Sequence, residues 1–225
     1  QKVLHLENIQ GMPYADIINQ LIERITDETF RVVVVGQFSS GKSTFINALI
    51  GKDILKHGAE ETTATITEIE NNPNTNSETC DIYYRDGNKD FGIPCSQLQN
   101  YTVKSSKVCN VAKDIRKVII KSRIFDNDMP IVFCDTPGLN GTDEYHRQQT
   151  LEQIKQAHAC VYLIQARGLT MSDVDFICQE VGTYQNTFLF VQNFIDDLSV
   201  LEGETVEGKL QELEDIIANH IIRIQ

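Results

Sequence analysis

Residues Gly36, Gln37, Phe38, Ser39, Ser40, Gly41, Lys42 and Ser43 spell the pattern Gly-x-x-x-x-Gly-Lys-Ser, with Thr44 directly behind it. The chemistry that this spacing supports is capture of a polyphosphate. Gly36 and Gly41 carry no Cβ, so the backbone between them can turn tightly and aim successive N–H groups at one anion. A helix beginning there adds the positive end of its dipole. Lys42 reaches the β- and γ-phosphates as a point charge, and the Ser43 hydroxyl is placed to ligate Mg²⁺. Taken alone, such a loop fits an ATPase, a GTPase or a small-molecule kinase.

Three further segments narrow the choice. Ile131-Val-Phe-Cys-Asp135 runs into Asp135-Thr-Pro-Gly138, where the carboxylate can hold Mg²⁺ through a water and the Gly138 N–H can meet a γ-phosphate. Phe188 to Gln192 runs into Asn193-Phe-Ile-Asp196, close to an Asn-Lys-x-Asp element whose aspartate accepts from the N–H groups of guanine. Thr62 or Thr63, about twenty residues beyond the phosphate loop, can close over the metal with a hydroxyl and a carbonyl. Each has a plainer role available: a strand-end turn, a helix cap, and loop residues. Their order along the chain is what makes them support one another.

The elements around these residues are legible from periodicity. Arg31 leads four successive valines, a run that suits a central strand covered on both faces. Phe45, Ile46, Ala48 and Leu49 give the helix behind the loop, which ends at Gly51. Strands are expected over 66–70, 80–85, 115–122, 131–135, 160–164 and 188–191, with Asp86-Gly87 as a hairpin-type turn. Residues 88–113 show no strong period beyond a short helix near 96–101. Helices are expected over 145–157, 172–181, with Thr170 and Asp173 at capping-box spacing, and 206–221. At the front, Tyr14, Ile17 or Ile18, Leu21 and Ile25 recur at helical steps over 14–26. Strands alternating with helices imply an α/β fold of three layers, a mostly parallel sheet with helices on both faces and its ligand at the carboxyl ends of the strands.

Composition bounds the partners. The chain has 225 residues and a net charge of −12, from 20 basic against 32 acidic side chains. That balance argues against nucleic acid, and against an electrostatic grip on an anionic membrane by these residues. No apolar run reaches the roughly 20 residues that a membrane span needs, and no leader pattern opens the chain, so a cytoplasmic location is expected. The six cysteines never form Cys-x-x-Cys and read as free thiols, with Cys134, Cys160 and Cys178 in apolar surroundings that suit core positions.

Over about residues 30 to 200 the chain resembles the GTPase domain of the bacterial dynamin-like proteins, and more broadly the dynamin, mitofusin and Eps15-homology-domain ATPase superfamily. The residues that carry the resemblance are Gly36-Gln-Phe-Ser-Ser-Gly-Lys-Ser43, Phe45 to Gly51, Glu61-Thr-Thr63, Asp135-Thr-Pro-Gly-Leu-Asn140, and Ala159 to Ile164 with Leu169-Thr-Met-Ser172. It implies a P-loop GTPase fold over 29–225, with residues 1–28 as a helical segment belonging to a bundle or neck. It also implies that the chain stops before a final strand, the last base-binding loop and a stalk. By the same resemblance Lys42 and Ser43 hold phosphate and Mg²⁺, with Asp135 completing the metal site. Thr63 rather than Thr62 is the switch threonine on the metal. Ser39 falls where a catalytic water and a monovalent cation, K⁺ or Na⁺, are positioned.

GTP is the implied substrate, hydrolysed fastest when two such domains face each other across their nucleotides. Lipid membrane is the implied partner, through regions outside this chain, with peripheral association in the full-length protein. Leu139 stands where small signalling GTPases keep a water-orienting glutamine. Phe194 replaces the lysine of the base-recognition motif and Phe38 replaces a glutamine of dynamin itself. An ATPase of the Eps15-homology type, and a nucleotide-gated scaffold without membrane activity, remain as alternatives.

Overall fold

The computed structural model describes residues 28–55, 65–98, 115–139, 144–166, 168–178, 188–197 and 203–222. The expected helix over 14–26 and both candidate switch threonines, Thr62 and Thr63, lie outside those residues. Among the described residues, eight strands form one sheet: β1 (Phe30–Gly36), β2 (Ile66–Asn71), β3 (Thr79–Tyr84), β4 (Lys89–Pro94), β5 (Ile115–Ser122), β6 (Ile131–Asp135), β7 (Ala159–Ile164) and β8 (Phe188–Gln192). Four helices accompany them among the same residues: α1 (Lys42–Ile50), α2 (Glu144–Gln156), α3 (Met171–Phe176) and α4 (Val206–Ile222).

The strand order is β4-β3-β5-β2-β6-β1-β7-β8. β1 pairs in parallel with β6 on one side and β7 on the other, β7 with β8, and β2 with β5. The remaining pairings, β2 with β6, β3 with β5 and β3 with β4, are antiparallel. Parallel pairing therefore holds at four of seven interfaces, and the sheet is mixed. The reversal at β2 has a use: Thr67 pairs with Asp135, so this strand starts, rather than ends, beside the carboxyl ends of β6 and β1.

Two apolar cores make the three layers. Val32, Val34, Ile69, Ile82, Val118, Ile120 and Phe133 face one way and pack with Ile46 and Ile50 of α1. Val33, Val35, Val132, Cys134 and Tyr162 face the other and pack with Leu151 and Ile154 of α2 and Phe176 of α3. Burying one such side chain contributes roughly 1.5–3 kcal/mol, so β1, whose valines supply both cores, is the costliest strand to disturb. β4 was not expected from periodicity. Its side chains are almost all exposed, because it is an edge strand paired only with β3, and no apolar alternation marks it. The short helix expected after it is one 3₁₀ turn, Cys95–Gln97, among the described residues. The Asp86-Gly87 turn does connect a hairpin, with Gly87 at φ 91° and the Asp86 side chain accepting from Asn88 N–H at 2.9 Å. Cys134 and Cys160 are fully buried as expected, but Cys178 is exposed, because it lies past the end of α3.

Beyond β6 the sheet face that carries α2 and α3 becomes polar. Glu68 on β2 is only 2% exposed and receives Lys117 Nζ at 3.2 and 3.1 Å, with Arg31 Nη1 at 3.3 Å. A buried carboxylate held by two cations is expensive to break from one side. Replacing Glu68 by Ala is expected to lower unfolding stability by about 3–5 kcal/mol, whereas Arg123→Ala, which removes an exposed pair with Asp126, costs under about 1 kcal/mol. Urea unfolding of both variants checks this, and equal losses would show that the Glu68 cluster is no more than a surface pair.

Candidate nucleotide-binding site

The loop between β1 and α1 is built on two glycines that nothing else could replace. Gly41 has φ 84°, and a Cβ there would lie 2.5 Å from Asn193 Nδ2. At Gly36 a Cβ would lie 2.7 Å from the Leu163 carbonyl and 2.8 Å from Ser40 Oγ. Ser39 also takes a left-handed conformation, φ 57°, and with Phe38 it is exposed on the crown of the loop. Gly41 supplies no side-chain cap to α1, and no acidic residue sits in its first turn. An uncapped helix start of this kind presents amide donors to an anion.

Lys42 is almost buried, 7% exposed, and its Nζ donates to the carbonyls of Gln37 at 2.9 Å and Gly36 at 3.3 Å. Burial pushes its pKa down, with Asp135 pulling the other way. Ser43 Oγ donates to Asp135 Oδ2 at 2.6 Å. Asp135 is buried at the end of β6, and burial raises its carboxyl to about 6 against the opposing bond from Ser43 and the charge of Lys42. Its second oxygen, Oδ1, is buried with no hydrogen-bond partner among the described residues.

An orphaned carboxylate oxygen beside a serine hydroxyl is a hard-oxygen donor pair, and it fits Mg²⁺, which keeps waters and phosphate oxygens in the rest of its shell. Among the described residues no group of three or more His, Cys, Asp or Glu side chains could cage a metal without such help. When bound, the ion would neutralise charge on bridging phosphate oxygens.

The segment after β6 is tied to the loop. Thr136 Oγ1 donates to the Val34 carbonyl at 2.8 Å and Leu139 N–H to the Gly36 carbonyl at 3.3 Å. A Cβ on Gly138 would come within 2.8 Å of Phe38 Cα, so its backbone lies directly against the loop crown. The Leu139 side chain packs on the core under α2, and is not presented as a polar group.

On the other side Asn193 Nδ2 donates to the Ser40 carbonyl at 3.0 Å, and Asn193 N–H to Ile164 at 2.7 Å. Phe194, at φ 59°, brings its ring within 3.2 Å of where a Gly41 Cβ would be. The ring thus covers the loop glycine at the motif's lysine position. Asp196 lies in a 3₁₀ turn, Ile195–Asp197, and is exposed. Ser40 is fully buried and its hydroxyl has no protein partner, while Thr44 is exposed on the first turn of α1. The loop, Asp135, Gly138, Asn193 and Phe194 therefore converge at one end of the sheet.

One contributor was not singled out from sequence. Asn47, buried in α1, donates to Asp53 Oδ1 at 2.9 Å and the Leu55 carbonyl at 2.6 Å, and accepts from the N–H groups of Ile54 and Leu55 at 3.2 and 2.9 Å. It fixes the path of the chain leaving α1 toward residue 56. A buried asparagine inside an otherwise apolar helix was the available signal. Gln37, already placed in the phosphate loop from its sequence, makes a side-chain contact that no local pattern marks: its amide donates to Thr170 Oγ1 at 2.8 Å and to Asp173 Oδ2, across 136 residues of sequence.

Known proteins resemble this chain in sequence and fold. The chain is 31% identical over 190 residues to a probable transmembrane GTPase, FZO-like, chloroplastic, of Arabidopsis thaliana, covering 83% of this chain and 18% of that protein. It is 26% identical over 204 residues to dynamin-like protein A of Bacillus subtilis, covering 88% of this chain and 16% of that one. The chain thus spans less than a fifth of the length of either relative. A solved structure from an oligomerised bacterial dynamin pair superposes with a TM-score of 0.59 at 21% identity, over 83% of this chain and 29% of that one, and so shares its fold. Residues 32–195 match the family model described as the dynamin family, from the third residue of β1 to the turn that carries Asp196, and the chain belongs to that family.

Proposed function

We propose that this chain is the Mg²⁺-dependent GTPase module of a dynamin-like protein. The observation that carries the reading is the Ser43–Asp135 bond with an unpartnered Asp135 oxygen, set beside a lysine held over the phosphate loop. In this reading Gly36 to Thr44 cradle the phosphates, Lys42 and the amides at the start of α1 hold the terminal groups, and Ser43 and Asp135 hold Mg²⁺. The Gly138 N–H meets the γ-phosphate. Thr63, with Thr62 as the alternative, brings a hydroxyl to the metal from the segment that enters β2 beside Asp135. Ser39 would hold a monovalent cation, K⁺ or Na⁺, and position the attacking water, because Leu139 offers no polar group to do so. No covalent intermediate is needed: positioning and charge neutralisation carry phosphoryl transfer.

Asn193 braces the loop and Asp196 accepts from the guanine N–H groups, with the Phe194 ring beside the base. Two modules facing each other across their nucleotides would accelerate hydrolysis, and the longer protein would turn that cycle into membrane fusion, fission or tubulation. Two observations outside this chain's chemistry favour the larger role. One relative is named a transmembrane GTPase, and the structural neighbour comes from a study of tethering of membranes by an oligomerised dynamin pair. Residues 1–28 would then lead to the neck of the longer protein.

Phe194 supports one rival, an ATPase with the same phosphate loop, since an aromatic ring stacks on any purine. Asp196→Asn separates the two. If guanine is the base, GTP affinity falls at least about 30-fold while ATP affinity stays within threefold, as expected when a buried donor pair loses its acceptor. Equal affinities for both nucleotides before and after the change would favour the ATPase.

Two further outcomes test the site. Lys42→Ala is expected to weaken nucleotide binding by about 100-fold or more, by isothermal titration, since it removes a charge-assisted contact to phosphate; unchanged binding would remove the phosphate loop from the reading. A proton on Asp135 competes with Mg²⁺, and with that carboxyl raised to about 6 the apparent Mg²⁺ affinity of the nucleotide complex should fall as pH drops from 7 to 5. In Asp135→Asn, metal affinity should be weak and flat across the same range. A pH-independent affinity in the unsubstituted chain would take Asp135 out of the metal site.

A further inference from the structure

Gln37 follows the first loop glycine, yet its side chain is committed elsewhere. It is 5% exposed, and its amide reaches Thr170 Oγ1 and Asp173 Oδ2, the two residues that cap α3. Asp173, 4% exposed, also accepts from Tyr162 OH on β7 at 2.5 Å, from Thr170 N–H at 2.8 Å and from Thr170 Oγ1 at 2.6 Å. Burial raises the Tyr162 pKa, with Asp173 beside it adding to the effect, so this hydroxyl stays protonated and donates. The main chain of Gln37 meanwhile accepts Lys42 Nζ, and the next carbonyl, Phe38 O, accepts Gln165 Nε2 at 3.2 Å.

Capping a six-residue helix needs only Thr170 and Asp173. The bonds from Gln37 and Tyr162 exceed that need, and both run to the same buried carboxylate. The loop they grip has a reason to be gripped: a serine at φ 57° is held in a sparsely populated conformation that persists only when its surroundings over-determine it.

We propose that Asp173 is a positioning residue for the phosphate loop, acting through the Gln37 side chain, so that the connection from β7 to α3 sets how well the loop is shaped for a phosphate before one arrives. The proposal rests on the nucleotide reading above and goes beyond it. Loss of the anchor leaves the loop amides and Lys42 in place but lets their arrangement relax. Affinity for a nucleoside diphosphate then falls, the KM for the triphosphate rises by the same factor, and turnover at saturation changes little.

The experiment uses the full chain and three variants: Gln37→Met, which keeps length and removes the donor, Asp173→Asn, and the two combined. Binding of a fluorescent GDP is measured at a temperature at which circular dichroism shows each variant folded, together with KM and kcat for GTP. Each single change is expected to weaken GDP binding about tenfold, equivalent to one lost charged hydrogen bond. kcat should stay within threefold, and the double variant within twofold of the weaker single one, since both break one link. If Asp173 only caps α3, Gln37→Met leaves binding within twofold, or the two losses multiply; either result overturns the proposal. Should Asp173→Asn not fold, Gln37→Met decides alone by the same twofold limit. An unsubstituted chain that binds no fluorescent GDP overturns the nucleotide reading and this proposal together, whereas binding that is indifferent to Gln37→Met overturns only the proposal.

Discussion

Register along β1 is the constraint from which the rest of the site follows. Val34 lies opposite Asp135 on β6 and Gly36 opposite Leu163 on β7, so one strand fixes where the carboxylate and the loop's first glycine stand relative to each other. A slip of one residue would turn every β1 valine to the opposite core and carry Gly36 off the Leu163 carbonyl. The 2.6 Å bond from Ser43 to Asp135 can form only if that register and the start of α1 are both right. Full burial of Val33, Val34 and Val35 opposes such a slip more strongly than any polar contact in the loop.

Against this rigid frame the polar groups of the site are held at a cost. Lys42 and Asp135 are both nearly buried, and burial drives each toward its neutral form: the lysine downward, the aspartate upward. Each charge partly supports the other, and neither finds full compensation inside the protein. A polyanion with a divalent cation would supply the missing countercharges to both, which is why these side chains can be kept partly desolvated without leaving the fold unstable. The Glu68 cluster differs, since its two cations, Arg31 and Lys117, are already in place and leave nothing for a ligand to satisfy.

How much of this the amino-acid sequence disclosed depended on range. The valine run, the two glycines, the strand ends at Asp135 and Asn193 and the Thr170–Asp173 cap are local patterns, and each sits in the structure where its spacing placed it. β4 escaped because an exposed edge strand has no buried face to impose alternation. The antiparallel insertion of β2 escaped because an apolar strand reads the same in either direction. Cys178 looked like a core residue from apolar neighbours, but it is exposed while the adjacent Ile177 takes the core side. The bond from the Gln37 side chain gave no sign, since its partner Asp173 lies 136 residues away and only the sheet brings them together.

The β3–β4 hairpin sits at the far margin of the sheet, five strand positions from β1, or about 24 Å at the usual interstrand spacing. Its Asp86-Gly87 tip turns back at the same rim as the phosphate loop, yet neither core needs the tip residues, and Gly87 has open space around it. A fluorophore or small tag grafted at that tip would ride on the module as a passive passenger, near enough to register a neighbour's approach by energy transfer and too remote to touch the chemistry.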